Sequence, residues 1–522
     1  MDNSQESERA ADSIAAPGTG KTHALKQAGS TRVAISTTSI TTENPLVLKP
    51  FDSQIVAGSQ LRSVWKLAWP LVALNLVNGT HGFVDHVLIG HYIGSADNAA
   101  NGAIGVAWQV FMVIVVFVVS IFQGMNVLIA RYSGRQDRAT ISEVFHSALL
   151  ASIYCLVFVL APLGYFFSPL LLSALNVAPE VHVHAQPYLR LLFLFGTPLF
   201  LMFLLTGAFN ASGDPKTPLK LGILTTVLNI VISTVLITGM GPFPPMGVMG
   251  AGLGTVLAPI FSCIVGLYLI YSRRMIIQPP AHFHLWPAMR LLRIMVKIGV
   301  PTGIQGVLLN IAGVVLIWYI SALPDSTAAQ AAYAICYTQL FSLITWTSFG
   351  LRNASATLMG QNIGAGNPQR GKSCVRIAAL MGLVWAFFVG TIYWTIPEYL
   401  LGLFNATEEP VRGFGIALLH FLAVSGVFFA VTQAFTGALQ GAGATRPPML
   451  IAFTTQIVVL LGLCQLFASL GLLSAVMIWT AIFAGHAMRL LLTALYFRTS
   501  GWIHTRIELQ SEKPSPETGA FS

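Results

Sequence analysis

The chain has 522 residues, of which 55% are hydrophobic and only 9% are charged, and its mean hydropathy is +0.71. A water-soluble protein of this length could not bury so much apolar surface, so the composition excludes an ordinary soluble domain. The net charge of +9 does not indicate nucleic-acid binding, because the basic residues lie in alternate loops between apolar runs.

The two ends of the chain differ in composition from the rest. The first sixty residues are rich in Ser, Thr, Ala and Gln and contain few large apolar residues. Such a segment cannot bury enough apolar surface to fold alone, so we predict that residues 1–60 form a disordered cytoplasmic tail. Residues 500–522 are predicted to form a second cytoplasmic tail.

Between the tails, apolar runs of the length that crosses a bilayer recur twelve times. Helices are predicted, because barrel strands would be shorter and would alternate polar with apolar residues. The predicted spans are residues 65–91, 104–130, 145–168, 187–209, 219–239, 248–272, 295–321, 331–358, 374–396, 413–439, 449–470 and 472–498. The fold class is therefore an all-α membrane protein with twelve transmembrane helices.

The membrane sequence is also repeated, which divides the twelve helices into two halves. Lys66 and Pro70 of the first span match Lys297 and Pro301 of the seventh at an offset of 231 positions. The other repeated positions lie 230 apart and are Thr206-Gly207-Ala208 with Thr436-Gly437-Ala438, Gly134 with Gly364, Gly213 with Gly443, and Pro218 with Pro448. We predict an N-lobe at 61–275, a cytoplasmic linker at 276–294 and a C-lobe at 295–499. Membrane chains of two like halves usually bind substrate between the halves, which indicates a transporter.

Loop charges predict the orientation of the chain. The odd-numbered loops carry mostly acids, whereas the even-numbered loops and the C-terminal region are basic. These basic residues are Arg131, Arg135, Arg138, Lys216, Lys220, Arg273, Arg274, Arg290, Arg293, Arg370, Lys372, Arg376, Arg446, Arg489, Arg498 and Arg506. By the positive-inside rule both termini are predicted to be cytoplasmic, in a multi-pass protein of the plasma or inner membrane.

One carboxylate lies deep within a predicted span. Asp85 falls in the second half of the first span, with Asn78 and His81 seven and four residues before it. A helix places these three side chains on one face. Because a carboxylate inside a membrane is costly and usually functional, we predict an ion-coupling site formed by Asn78, His81, Asp85 and Asn229 of the fifth span. The alternative is a structural Asp85 that is hydrogen-bonded to a neighbouring helix.

Amide and aromatic side chains within the spans are candidates for a substrate cavity. The predicted cavity residues are Gln109, Asn210, Asn310, Tyr337, Gln339 and Trp346. An aromatic surface suits a small, flat, lipophilic cation through stacking and cation–π contacts. Aromatic residues at helical spacing also pack or face lipid, so packing stays the alternative for each. Arg352, in the eighth span, could reach lipid headgroups or an anionic substrate, and the sequence does not decide between them.

The sequence resembles the multidrug and toxic compound extrusion family of secondary transporters over residues 60–500. The resemblance is carried by the stretches 82–85, 207–214, 246–251 and 360–367, which read GFVD, GAFNASGD, MGVMGA and GQNIGAGN. It implies two six-helix lobes around a V-shaped central cavity and cation-coupled antiport that expels organic cations. It further implies that Asp85 couples ion movement to substrate release. No catalytic residue, metal site or cofactor other than the coupling ion is expected.

Two departures from the family pattern bear on the coupling ion. Many relatives have an Asp four residues after the asparagine of the fifth helix, where this chain has Ser233 after Asn229. The Na⁺-coupled branch carries a Glu in the seventh helix, where this chain has apolar residues and Asn310. With a single carboxylate beside a histidine, H⁺ is favoured over Na⁺ as coupling ion, as is the DNA-damage-inducible branch of the family.

Two other functions were weighed. A flippase for a lipid-linked saccharide or phospholipid would share the two-lobed fold, but it should place several Arg or Lys in the cavity. A membrane-embedded enzyme would need converging nucleophile, acid and metal groups, for which Asp85 and His81 form the only nucleus. Because the cavity would lie within one chain, the transporter is expected to function as a monomer.

Overall fold

The computed structural model describes residues 49–92, 98–174, 179–404, 406 and 408–505, which belong to one compact unit, Leu46–Ser522. For residues 78–92, for part of 98–121 and at a few further positions, the description is confined to the backbone. The predictions for residues 1–48 and 506–522 lie outside the described residues.

Each of the twelve predicted spans is confirmed within the described residues as a helix or a set of consecutive helical pieces. In the N-lobe they are α1 Gln60–Tyr92, α2 Asn98–Gly134, α3 Arg138–Cys155 with Leu156–Leu160 and Ala161–Ala174, α4 Pro179–Phe195 with Thr197–Ala211, α5 Lys216–Thr238 and α6 Val248–Tyr271. In the C-lobe they are α7 Met289–Ser321, α8 Ser326–Tyr333 with Ala334–Leu340 and Ser342–Gly364, α9 Pro368–Thr395, α10 Glu409–Gly441, α11 Arg446–Phe453 with Thr454–Leu461 and Gly462–Ser469, and α12 Ala475–Thr499.

Several of these helices are interrupted. The middle pieces of α3, α8 and α11 are π-helical, and the two pieces of α4 meet at an angle of 52°. By length and apolar composition alone, eight of the described helices could each cross a membrane, and the bent α4 would be a ninth. π-Helical turns are uncommon and often lie at functional sites, so the pieces in α8 and α11 are of interest below.

The ordered region begins earlier and ends later than the tail boundaries predicted. Ser53–Ala57 forms a short helix, capped by the Asp52 carboxylate, although the sequence analysis placed it in a disordered tail. Its Ile55 side chain is fully buried, and burial against other parts of the chain explains why this segment is ordered. After α12, Trp502 and Ile503 are also buried. The predicted linker is shorter than expected, because α7 starts at Met289.

The two lobes exchange the first halves of their first helices. The first half of α1 packs in an apolar cluster with α8, α9 and α10, where Leu67 and Leu71 contact C-lobe residues. The start of α7 does the converse, because Leu291 and Met295 belong to a cluster that is otherwise formed by the N-lobe and by Ile276 and Ile277 of the linker. Since residues 66 and 297 are repeat-related, the exchange obeys the same internal pseudo-symmetry as the sequence. The lobes are therefore held together at the end where α1 and α7 begin.

The lobes approach each other closely where α2 crosses α8. A Cβ atom on Gly134 would lie 2.0 Å from the carbonyl oxygen of Gln361, and one on Gly364 would lie 1.9 Å from that of Arg131. Both glycines and both contacted residues are related by the 230-residue offset. Only glycine allows helices to approach so closely, which explains the repeated glycine at the ends of these helices. We call this end of the molecule, where α2 and α8 end, the closed end.

Candidate functional site

Repeat-related polar side chains also link the lobes at the closed end. The Arg131 guanidinium, from α2, donates to the carbonyl oxygens of Ala442 and Thr505, each at 3.3 Å. The Gln361 amide, from α8, donates to the carbonyl oxygen of Ala211 at 2.9 Å. Each side chain thus reaches the end of a helix in the opposite lobe, α10 or α4, and satisfies a carbonyl that the helix leaves unpaired. These paired contacts close this end of the molecule.

A segment that precedes α1, residues 49–59, lies across both lobes at the closed end, and we call it the N-terminal strap. On the N-lobe, the Lys49 ammonium contacts the Asp214 carboxylate at 2.5 Å, and Arg138 donates to the Lys49 carbonyl at 2.6 Å. On the C-lobe, Arg370 donates to the carbonyl oxygen of Ile55 at 3.3 Å. The strap therefore joins the two lobes through contacts far apart in the sequence.

Next to the closed end, both lobes line a central cavity of about 450 Å³. The N-lobe contributes α1, α2 and α4, and the C-lobe contributes α7, α8 and α10. Its polar lining consists of Asn75, Gln123, Asn126, Thr206, Asn210, Thr302, Arg352, Asn353 and Thr357. The side-chain oxygen atoms of Asn126 and Asn210 have no hydrogen-bond partner among the residues that the structure describes. The predicted central cavity is confirmed, and its mixed lining is typical of a small-molecule site.

A second cavity, of about 590 Å³, lies within the C-lobe and is called the C-lobe cavity. It shares Thr302, Phe349 and Arg352 with the central cavity. Its other polar and aromatic lining residues are Gln305, Asn310, Tyr333, Tyr337, Thr338, Phe341, Thr345, Phe429, Gln433, Gln456, His486 and Arg489. The shared residues line both cavities. A ligand in either cavity can therefore contact Arg352.

The structure brings four of the predicted cavity residues to these walls. Asn210 and Trp346 line the central cavity, and Asn310 and Tyr337 line the C-lobe cavity. Gln339 is exposed and lines neither of these two cavities, so its place at a substrate cavity stays a prediction. It lies two residues after Tyr337, which places it on nearly the opposite side of the helix.

For Gln109, the sixth predicted cavity residue, the side chain lies outside the described residues; its backbone belongs to α2.

The predicted ion-coupling residues lie on two packed helices of the N-lobe. Positions 78, 81 and 85 are helical within α1, but their side chains lie outside the described residues. Asn229, on α5, is fully buried, and neither the oxygen nor the nitrogen of its amide has a hydrogen-bond partner among the described residues. One turn later, the buried Ser233 hydroxyl also has no partner in the described part of the chain. Buried polar groups without partners are rare, so these two are available to an ion or to a polar group on α1.

Metal binding has no support among the described side chains. No group of three His, Cys, Asp or Glu residues in this part of the chain could hold a metal ion.

Two functional candidates were missed in the sequence. Arg489 was counted among the basic residues near the C-terminus, but it is buried in the C-lobe cavity, and this interpretation is corrected. His486 lies one turn before it and lines the same cavity. Both could have been found by searching the spans for any ionisable side chain, because α12 extends ten residues beyond Arg489.

Arg352, whose role the sequence left open, lines both cavities. Its Nε donates to the Oε1 of Gln440 at 3.0 Å, and Gln440 donates in turn to the Oε1 of Gln305 at 3.1 Å. This chain of contacts holds the guanidinium at the cavity boundary. A position at the lipid headgroups does not agree with these contacts.

Comparison with known proteins agrees with the repeat. The family model described as MatE matches the chain twice, over residues 70–235 and 301–466. The two matches are offset by 231 positions, as are Pro70 and Pro301, and each spans five helices of its half, α1–α5 and α7–α11. Together the matched residues cover more than half of the chain.

Curated relatives and solved structures are similar over most of their length. A probable multidrug resistance protein NorM of Thermotoga maritima is 27% identical over 450 residues, which cover 84% of this chain and 92% of NorM. A probable multidrug resistance protein YoeA of Bacillus subtilis is 25% identical over 461 residues, which cover 88% and 97%. The outward-facing structure of a multidrug resistance MATE family transporter matches with a TM-score of 0.79 at 18% identity, over 87% of this chain and 98% of that one. At this identity the structural match concerns the fold, and it supports the twelve-helix architecture. The double family match over both halves of the sequence shows that the chain belongs to the MATE family.

Proposed function

We propose that the protein is a secondary antiporter that exports small organic molecules by alternating access. The observation that carries this proposal is the symmetric closure of one end, where repeat-related residues of α2 and α8 join the lobes below a cavity that both lobes line. Two like lobes around a shared cavity can expose it to either side by rocking. Export of drugs is inferred from relatives that are named probable multidrug resistance proteins.

The closed end is proposed to face the cytoplasm. It carries the basic loops that follow α2, α4, α8 and α10, which the positive-inside rule places on that side. Both termini are then cytoplasmic, the membrane is the plasma or inner membrane, and the described arrangement is closed to the cytoplasm. Because both cavities are lined by one chain, a monomer suffices for transport.

H⁺ is proposed as the coupling ion, with Asp85 as its carrier and His81, Asn78 and Asn229 as its polar neighbours. The unpaired amide of Asn229 and hydroxyl of Ser233 on α5, which packs against α1, support a polar site in this part of the N-lobe. Asp85 is the one carboxylate in the sequence of α1, so it is the one acidic group of this helix that can take up and release a proton. The DNA-damage-inducible branch of the family remains our interpretation of the same residues.

The substrate predicted from the sequence is a lipophilic cation, which the aromatic side chains at the cavities, such as Trp346 and Tyr337, could stack against. The two arginines of the C-lobe cavity favour a different substrate class, an organic anion. A flippase for a phospholipid or a lipid-linked saccharide is the second candidate. It gains support from the structure, because Arg352 is joined by Arg489 in the same cavity.

Coupled export is tested by following a fluorescent lipophilic cation and a fluorescent aromatic anion in energised cells that lack their own pumps. Cells with the wild-type protein are expected to accumulate less of at least one dye, and Asp85→Asn is expected to remove this difference, because an amide cannot exchange the proton. Collapsing ΔpH should abolish export, whereas collapsing the Na⁺ gradient should leave it intact. Asp325→Asn, an exposed change of the same chemistry, is the matched control. Full export by Asp85→Asn would refute the coupling role of Asp85.

A further inference from the structure

The C-lobe cavity contains a buried positive charge without a partner among the described residues. Arg489 lies on α12, is 4% exposed and lines the cavity. Its guanidinium makes no hydrogen bond and no ion pair within the described part of the chain. A guanidinium has five N–H donors and stays charged in proteins, and burial of an unpaired charge is strongly unfavourable. A ligand that supplies the missing partner would account for a side chain of this kind at a cavity wall.

A second arginine faces the same cavity. Arg352, from α8, uses its Nε to bind Gln440, and no other hydrogen bond of its guanidinium is found among the described residues. Two like charges at one cavity repel each other, so neither explains the presence of the other. Both remain available to a group with two or more oxygen atoms, to which arginine binds in parallel pairs of hydrogen bonds.

The C-lobe has no carboxylate that could neutralise these arginines. Four carboxylates occur in the sequence from α7 to α12, and all are exposed at or beside the ends of the helices: Asp325, Glu398, Glu408 and Glu409. Glu398 forms an ion pair with Arg412 at 2.7 Å, and neither residue lines the cavity. In the described lining, the cavity therefore carries positive charge and amides but no acid. This charge disfavours a cationic ligand in this cavity.

The rest of the wall suits the apolar body of a ligand. The rings of Tyr333 and Tyr337 are stacked with centroids 4.9 Å apart, and Tyr337 stacks on Phe341 at 5.4 Å. Leu309, Leu316 and Leu460 are also in the lining. Tyr337 belongs to the π-helical piece of α8, and Gln456 belongs to that of α11. Two π-helical pieces therefore contribute to this wall, and such pieces often lie at functional sites.

We propose that the C-lobe cavity binds an amphipathic organic anion, whose carboxylate, sulfonate or phosphate group is held by Arg489 and Arg352. Its apolar body packs against the stacked rings of Tyr333, Tyr337 and Phe341. This proposal rests on the proposed function, because it names the substrate class of the same exporter. The anion has two possible sources, a free aromatic acid or an anionic phospholipid, which share the acid group and the apolar body.

The test measures binding to the purified full-length protein without any ion gradient. The probes are naphthalene-2-sulfonate and a naphthyl trimethylammonium ion, which have similar apolar bodies and opposite charges. Calorimetry in detergent is expected to show that the sulfonate binds at least tenfold more tightly than the ammonium. The lipid source is distinguished in nanodiscs, where phosphatidylglycerol, but not phosphatidylcholine alone, would compete with the sulfonate if a phospholipid is the natural ligand.

Substitutions then connect binding to the arginines. Arg489→Gln is expected to weaken sulfonate binding at least tenfold, the effect of a lost charge-assisted hydrogen-bond pair, while Arg489→Lys should lose less because it keeps the charge. Arg412→Gln, an exposed arginine that is paired with Glu398, is the matched control and should bind as wild type. Without ligand, Arg489→Gln is expected to unfold at a higher temperature than wild type, because an unpaired buried charge is removed.

The possible results distinguish failure of the anion site from failure of the proposed function. Tighter binding of the ammonium, or sulfonate binding that Arg489→Gln leaves unchanged, would refute the anion site. A lower unfolding temperature for ligand-free Arg489→Gln would show that Arg489 is paired within the protein, and this too would refute the proposal. Sulfonate binding without gradient-driven export would instead contradict only the proposed function. Export of a cation by a protein that ignores the sulfonate would contradict only this inference.

Discussion

Gly364→Ala is expected to abolish most transport, because the added methyl group would lie 1.9 Å from the carbonyl oxygen of Arg131. The oxygen belongs to the backbone of α2 and the methyl group is bonded directly to the backbone of α8, so the clash can be relieved only by moving α8 away from α2. Overpacking of this kind typically costs about 1–3 kcal/mol. If only the closed arrangement is destabilised by this free energy, the equilibrium constant between closed and open states shifts about 5–150-fold toward the open state. Export needs both states, so turnover falls.

The shift can be measured without a transport assay. Asn353 is exposed to the central cavity, so Asn353→Cys in a cysteine-free background reports from which side of the membrane that cavity is reached. We expect Gly364→Ala to increase the labelling of this cysteine by an impermeant maleimide added at the closed end. Gly462→Ala, on α11, is the matched control because an added Cβ atom there meets no atom within 4 Å. Unchanged labelling and full transport in Gly364→Ala would mean that the helices separate without cost.

The repeat predicts that a second substitution has the same effect. Gly134 contacts α8 as Gly364 contacts α2, so Gly134→Ala should produce the same shift in labelling as Gly364→Ala. The double substitution should have less than the sum of the two effects, because one separation of the helices relieves both clashes. Additive effects would indicate two independent contacts.

Most of the fold could be predicted because its signals are local and strong. Runs of about twenty apolar residues specify membrane-crossing helices with little help from their neighbours. The repeated glycines were recognised as repeated, and the structure adds the reason: Gly134 and Gly364 are contact points between the lobes. The exchange of α1 and α7 between the lobes could not be predicted, since their apolar residues would pack equally well within either lobe.

The site was predicted less completely, for identifiable reasons. The composition of the loops groups Arg489 with the cytoplasmic charges, although it lies ten residues before the end of α12. The same argument that selected Asp85 applies to a buried arginine. Gln339 lines neither of the two cavities, and its position could not be predicted because the presence of an amide within a span does not say which side of the helix it occupies. Residues 49–59 were assigned to a tail because their burial depends on Arg370 and Asn362, more than 300 residues away.

The N-terminal strap leads to the second large effect, expected for Ile55→Asp. Ile55 is fully buried in the apolar cluster that joins α1 to α8 and α9, and Cys374 lies in the same cluster. Burying an ionised carboxylate there costs several kcal/mol, whereas moving the short helix Ser53–Ala57 into water avoids that cost. The strap should therefore leave the surface.

Its departure should remove one of the links between the lobes and expose the cluster beneath it. With Cys374 as the only cysteine, we expect Ile55→Asp to raise its rate of maleimide labelling at least tenfold, and to raise labelling of the central cavity from the closed end. Gln54→Asp places the same charge on an exposed neighbour in the same helix, and it should leave both rates unchanged. If Cys374 stays protected in a folded Ile55→Asp protein, the cluster itself excludes the reagent and the strap does not cover it. Cys374 could instead become reactive while the central cavity stays closed. In that case the links through Arg131 and Gln361 suffice to hold the lobes together, and the strap covers the closed end without contributing to its closure.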